Sequence, residues 1–181
     1  MYFGGDFVHI INQRYLFRGG ILNIIIVYDS VFGNTEKIAS AVAEAMRSAG
    51  EVKVVRVDEA VAEQVKTVDL LIAGSPTNGF MPTPAMQKFL NGLIDNECKG
   101  VKAAAFDTRV GGKDVGLGVR MLVRVGGFAA PRMAAILRKK GFSMVVSPEG
   151  FLVKGKNNTW SIVEGEIERA AEWAKSVLNA S

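Results

Sequence analysis

Leu22-Asn23-Ile24-Ile25-Ile26-Val27-Tyr28, followed at once by Asp29-Ser30-Val31-Phe32-Gly33-Asn34-Thr35, is the stretch that decides the fold. Its first seven residues are almost continuously apolar, the composition of a strand buried on both faces of a parallel sheet. Residues 36–49, just beyond, carry the pattern of a helix. A turn between such a strand and such a helix directs free backbone N–H groups and the positive helix end at one point, which favours a phosphate.

The side chains of the turn narrow the kind of phosphate. A nucleoside-triphosphate loop needs Gly-Lys-Ser/Thr, and a dinucleotide fold needs three spaced glycines; neither pattern is present. Ser30, Asn34 and Thr35 instead offer neutral donors, while Gly33 lets the backbone come close to a ligand or take a positive φ. With no cation in the turn, a monophosphate is the expected cargo. The same residues would also make an ordinary helix start, with Ser30 or Asn34 as N-cap.

Composition bounds the rest. A chain of 181 residues with 49% hydrophobic content is sized for one domain with a proper core. The single cysteine, Cys98, excludes an internal disulfide and an all-cysteine metal or iron–sulfur site within one chain. The single histidine, His9, lies near the start, so a histidine-based triad or a multi-histidine metal site is not expected. Redox or bond-making chemistry here would be carried mostly by a bound cofactor. No run reaches the roughly 18 to 20 apolar residues of a membrane span. Residues 1–21 read as a leader of uncertain order: Phe7-Val8-His9-Ile10-Ile11 is apolar but too short and too poorly flanked for a signal peptide. The expected domain covers 22–181, in a cytoplasmic protein.

Read coarsely, strands alternate with helices. Strands are expected over 22–28, 52–57, 68–74 and 101–107, with a fifth opening at 143–146 and continuing through 151–153. Helices are expected over 36–49, 83–93, 128–140 and 162–178, with a weak turn of helix at 59–66. This alternation predicts a five-stranded, doubly wound parallel sheet of order 2-1-3-4-5, helices on both faces and ligands at the carboxyl ends of the strands.

The loops after the third and fourth strands should then be unusual, and both are. Ser75-Pro76-Thr77-Asn78-Gly79-Phe80-Met81-Pro82-Thr83-Pro84 carries three prolines around a glycine, a stiff turn able to aim backbone groups at the edge of a flat ring, with Phe80 or Met81 against its face. It would equally serve as a rigid connection with Pro84 in the first helical turn. Phe106-Asp107-Thr108-Arg109 supplies an acceptor, a hydroxyl and a fixed cation, a set suited to a heterocycle, or, for Asp107 and Arg109, to a surface ion pair. Gly111, Gly112, Gly116 and Gly118 follow as a pliable stretch.

Taken together, these residues resemble the flavodoxin-like family from residue 22 to about 178. Ser30-Val31-Phe32-Gly33-Asn34-Thr35 is similar to that family's FMN-phosphate loop. Ser75-Pro76-Thr77-Asn78-Gly79-Phe80 is similar to its second flavin loop, in the Ser-Pro-Thr form of the flavin-dependent NAD(P)H:quinone reductases. Asp107-Thr108-Arg109 with Gly112 falls where the third loop belongs. The resemblance implies FMN as cofactor and these sixteen residues as its contacts. It also implies electron transfer to a redox partner protein, or, alternatively, an NAD(P)H-dependent flavin oxidoreductase with a quinone or small anionic acceptor. A flavin-free phosphate-binding domain is a third reading.

Two features depart from the family pattern. Residues 107–118 hold no aromatic, leaving Phe80 as the one expected flavin-stacking ring. The family's electron carriers are typically acidic, whereas this chain carries a net charge of +4. Residues 109–156 contain ten Lys and Arg against Asp114 and Glu149, a net +8 that leaves −4 for the remainder. If Arg109, Lys113, Arg120 and Arg124 border the flavin, they would attract an anionic substrate, a pyridine-nucleotide phosphate or an acidic redox protein. Arg138-Lys139-Lys140 reads more simply as a helix C-terminus whose cations favour the dipole. Nucleic acid is not expected, since no aromatic-and-basic platform accompanies the charge.

Overall fold

In the computed structural model, which describes residues 21–111, 127–156 and 159–181, the apolar run 22–28 is the second strand of a twisted sheet. The chain order is β1 (Leu22–Tyr28), α1 (Asn34–Met46), β2 (Gly50–Arg56), α2 (Ala62–Lys66), β3 (Leu70–Pro76), α3 (Pro84–Gly92) and β4 (Lys102–Val110). It continues with α4 (Ala129–Lys139), β5 (Ser143–Met144), β6 (Glu149–Lys156), β7 (Thr159–Ile162) and α5 (Glu166–Ala180). The sheet runs β2-β1-β3-β4-β6-β7, with β5 also paired to β4. Every pairing is parallel except β6 with β7.

Alternation along the strands divides the core in two. Ile24, Ile26, Leu70, Ile72, Ala104 and Phe106 face α1 and α5, which answer with Ile38, Val42, Met46, Ala170, Trp173 and Val177. Ile25, Val27, Leu71, Ala73, Ala103 and Ala105 face the other way, onto Met86 and Leu90 of α3 and Met133 and Leu137 of α4. Phe106, Phe151 and Trp173 meet edge to face, with centroids 5.9 to 6.0 Å apart, the arrangement that ring quadrupoles favour.

The expected order 2-1-3-4-5 holds, but the fifth position differs in detail and the described residues form seven strands. Ser143 and Met144 pair with Lys102 and Ala103, whereas Glu149 pairs with Phe106, so the register slips by two residues across 145–148. Pro148, which has no N–H to give the ladder, lies in that break. The expected helix start at 162 is also corrected. Ile162 is the last residue of β7, which folds back antiparallel on β6, and α5 begins only at Glu166 after Gly165. Arg169 on α5 ties this region down: it pairs with Glu166 and Glu149, donates to the carbonyl of Gly150, and lies over the ring of Phe151. Residues 1–20, most of the expected leader, fall outside the described residues.

Candidate functional site

At the carboxyl edge of the sheet, β1 ends at Tyr28 and the chain turns through Asp29 and Ser30 into α1. Asp29 N–H donates to the carbonyl of Gly74 at 2.9 Å, and the Asp29 carboxylate accepts from Ser30 N–H at 2.8 Å, which fixes the entry to the turn. Gly33 is the N-cap of α1, at φ 78° and without a capping side chain. An added Cβ there would meet nothing within 4 Å, so the demand for glycine comes from the backbone angle alone. The expected cap at Ser30 is realised loosely, its Oγ accepting from Glu36 N–H at 3.4 Å. The N–H groups of Asn34 and Thr35, first in the helix, have no intrahelical acceptor. Asn34 is buried and its Oδ1 has no hydrogen-bond partner, while the Thr35 hydroxyl lies 2.8 Å from that of Thr108 across the top of the sheet.

These groups open onto a cleft of about 360 Å³ lined by Val31, Phe32, Asn34, Thr35, Pro76, Thr77, Asn78, Thr108, Val110, Val153 and Trp160. Segments distant in sequence thus meet in one place. Of the sixteen residues expected from sequence, eight line this cleft: Val31, Phe32, Asn34, Thr35, Pro76, Thr77, Asn78 and Thr108. Ser30 and Gly33 form the turn beneath it.

The remaining expected residues have other employment. Ser75 is fully buried; its hydroxyl accepts from Thr83 N–H at 3.0 Å and donates to the Pro76 carbonyl at 3.1 Å, so the side chain staples the loop. Thr83 caps α3 with Pro84 behind it, as the rigid-connection reading of that loop had it. Gly79 and Phe80 take φ values of 52° and 68° in a tight turn closed by two backbone bonds between Asn78 and Met81. The Phe80 carbonyl accepts from Arg132 Nε at 2.9 Å, and its ring is not among the groups lining the cleft.

Asp107 and Arg109 do not line the cleft. Successive strand residues point to opposite faces, and Thr108 takes the cleft side, which sends both neighbours to the α4 side. There Arg109 holds the fully buried Asp107 carboxylate in a two-pronged pair, Nη2 to Oδ2 at 2.7 Å, and its guanidinium lies 3.6 Å from the centroid of the Phe128 ring. Gly150 leaves the room that this guanidinium needs, since a Cβ would collide with it. Asp107 also accepts from Ala130 N–H at 2.8 Å, and Thr77 Oγ1 accepts from Ala129 N–H at 2.9 Å. Burial raises the Asp107 pKa above the ordinary carboxylate value, with the Arg109 bonds, the Ala130 N–H and Thr77 pulling against it. These side chains therefore brace α4, and the surface ion pair considered from sequence is a buried one. Gly112, Lys113, Arg120 and Arg124 lie outside the described residues.

Three cleft residues escaped the sequence reading: Val110, Val153 and Trp160. The signal for Trp160 was present in Lys156-Asn157-Asn158-Thr159, two turn-forming residues between short alternating runs, the mark of a hairpin. Val110 would have followed from counting alternate residues along β4 from Thr108.

A doubly wound sheet with a helix start and a cleft at its carboxyl edge is the architecture in which ligands sit at strand ends. The flavodoxin family model matches residues 26–169. The chain belongs to the flavodoxin family. A flavodoxin of Aquifex aeolicus (strain VF5) is 38% identical over 93 residues, which cover 49% of this chain and 50% of that protein. The chain thus matches about half the length of that curated relative. Oxidised flavodoxin 2 from Bacillus cereus superposes with a TM-score of 0.67 at 20% identity, over 88% of this chain and 99% of that one. Rubredoxin oxygen:oxidoreductase from Desulfovibrio gigas gives 0.61 at 21% identity, over 87% of this chain and 35% of that one. At such identities the two structures establish the shared fold.

Flavodoxin family proteins bind FMN, and the residues here fit that cofactor. The first N–H groups of α1 and the Thr35 hydroxyl stand at one end of the cleft. Apolar Val110 and Val153 line it elsewhere, as an amphipathic phosphate-and-ring molecule requires.

Proposed function

We propose that this chain binds FMN in the cleft and works as an electron-transfer flavodoxin. The observation that carries this reading is the start of α1, where Gly33 brings no capping side chain and Asn34 and Thr35 open onto the cleft. The first N–H groups of a helix have no acceptor within it, and they and the positive helix end favour an anion. Asn34, Thr35 and the first N–H groups of α1 would hold the phosphate; Thr77, Asn78 and Thr108 would line the path from it; Val110 and Val153 would keep water from the ring. Bound FMN would supply one- and two-electron redox chemistry, and the protein would supply position and a partly dry setting.

A redox partner protein would complete the function. Among the described residues, Arg109 is spent on Asp107, and Arg138 and Lys139 lie in the last turn of α4, at the end away from the cleft. Attraction of an anionic partner would fall to cations nearer the cleft, such as Arg56, whose Nη2 donates to the Ser30 carbonyl at 3.4 Å. The cytoplasmic setting and the domain boundary at residue 22 belong to the same proposal. Among the described residues no helix is long and apolar enough to cross a membrane.

Purified protein should be yellow and should release near-stoichiometric FMN on denaturation; a colourless protein that cannot be reconstituted with FMN would overturn the reading. Anaerobic stopped-flow mixing with NADH and with NADPH addresses electron carriage. Slow or absent bleaching is expected, and fast reduction by either nucleotide would make the protein an NAD(P)H-dependent reductase instead.

A further inference from the structure

The cleft has a wall that the strand-end loops do not provide. Trp160 stands on β7, the antiparallel strand beyond β6, and its half-buried ring faces Phe32 with centroids 6.4 Å apart and planes 37° from parallel. Phe32 belongs to the phosphate turn itself, two residues before Asn34, and is 50% exposed. Both rings line the same cleft as Asn34 and Thr35. They are the only aromatic residues that line it among those described, because Phe80 turns elsewhere.

This placement has a physical cause. β7 pairs only with β6 and forms the sheet margin, and its alternation sends Trp160 and Ile162 to one face, the face on which Ile162 packs against the α1 and α5 core. The hairpin therefore leans its indole toward the start of α1, where β7 and α1 are in contact. A large aromatic side chain left half-buried beside a polar turn offers apolar cover with little loss of side-chain freedom. An anion held mainly by neutral donors gains from such cover, because excluding water strengthens each hydrogen bond that it accepts.

We infer that Trp160, together with Phe32, is a cofactor-contacting residue that closes over the phosphate end of bound FMN, so that the β6–β7 hairpin and the phosphate turn hold that end between them. The inference rests on the FMN reading above. Trp160 is thereby assigned to retention of the anchor, separate from the loops that face the ring.

The test is to compare wild-type protein, Trp160→Ala and Trp160→Phe for FMN and for riboflavin, which lacks the phosphate. The dissociation constants are taken from flavin fluorescence titration and the release rates from stopped flow. Trp160→Ala should raise the FMN dissociation constant about tenfold, mostly through faster release, and move riboflavin less than about threefold. Trp160→Phe should restore FMN binding to within about threefold of wild type, which also keeps the test valid should the alanine variant fold poorly. The inference is overturned if Trp160→Ala changes FMN affinity less than threefold, or if riboflavin loses as much as FMN, which would put the indole against the ring. Wild-type protein that binds no FMN would overturn the functional proposal as well, whereas normal wild-type binding with an indifferent Trp160 overturns this inference alone.

Discussion

Two helices, α1 and α4, begin at the same edge of the sheet, and their first turns are completed in opposite ways. At α4 the protein fills the donors itself: Thr77 accepts from Ala129, and the Asp107 carboxylate, held by Arg109, accepts from Ala130. At α1 the cap is a bare glycine, the hydroxyl contact from Ser30 is long, and the Asn34 amide keeps an atom without a partner. A helix start satisfied from within is a strut; one left open beside a cleft is a receptor. The stability of the strut should be independent of ligand, whereas the receptor should be strained without one.

The comparison can be broken most forcefully at Asp107. Replacing it by Ala leaves the Arg109 guanidinium unpaired and the α4 donor unfilled, and should cost about 3 kcal/mol of stability by urea unfolding of the apoprotein. A loss below about 1 kcal/mol would mean that α4 does not depend on this brace. Thr35→Ala comes next: it removes a hydroxyl bonded to Thr108, and titration calorimetry should show FMN binding weaker by about 1 kcal/mol. Unchanged affinity would remove Thr35 from the site.

Asn34→Ala sharpens the contrast, because stability and binding should separate. FMN affinity should fall about fivefold, while the apoprotein melts no lower than wild type, since the deleted amide had a partnerless buried atom. A marked drop in the apoprotein melting temperature would make Asn34 a structural residue like Asp107. Gly33→Ala should cost about 1 kcal/mol of stability through its positive φ, a local clash of Cβ with the backbone, with no contact to more distant atoms.

The smallest effect concerns pH. Because burial raises the Asp107 pKa, the native state keeps that proton to higher pH than the unfolded chain does. The associated stability is complete below the ordinary carboxylate value and is lost as pH rises through the raised native one. Urea midpoints of wild type should carry this downward component with rising pH, and those of Asp107→Asn should lack it. An identical pH profile in the variant would show that the brace of α4 does not titrate.

Local signals are legible in this sequence, whereas the facing of individual side chains is not. The strand 22–28 and the turn after it were legible because apolar runs and glycine–hydroxyl turns are local signals. Asp107, Thr108 and Arg109 read as one recognition set because they are consecutive, yet on a strand consecutive residues serve opposite faces, and the pleat splits the set. Ser75 reads as a ligand contact because hydroxyls suit phosphates and rings, and in the fold its oxygen accepts from Thr83 N–H. Trp160 was missed because 159–162 is too short a run to stand out beside the strong helical pattern that follows it.

From the sequence alone came the alternation of elements, the sheet order and the meeting of loops at one edge, for these depend on local composition and on the topology that parallel strands require. Which side chains face the cleft was decided only by the tertiary structure. Facing depends on strand register, on what burial forces each polar group to pair with, and on a hairpin that brings Trp160 beside Phe32 from 128 residues away in the chain.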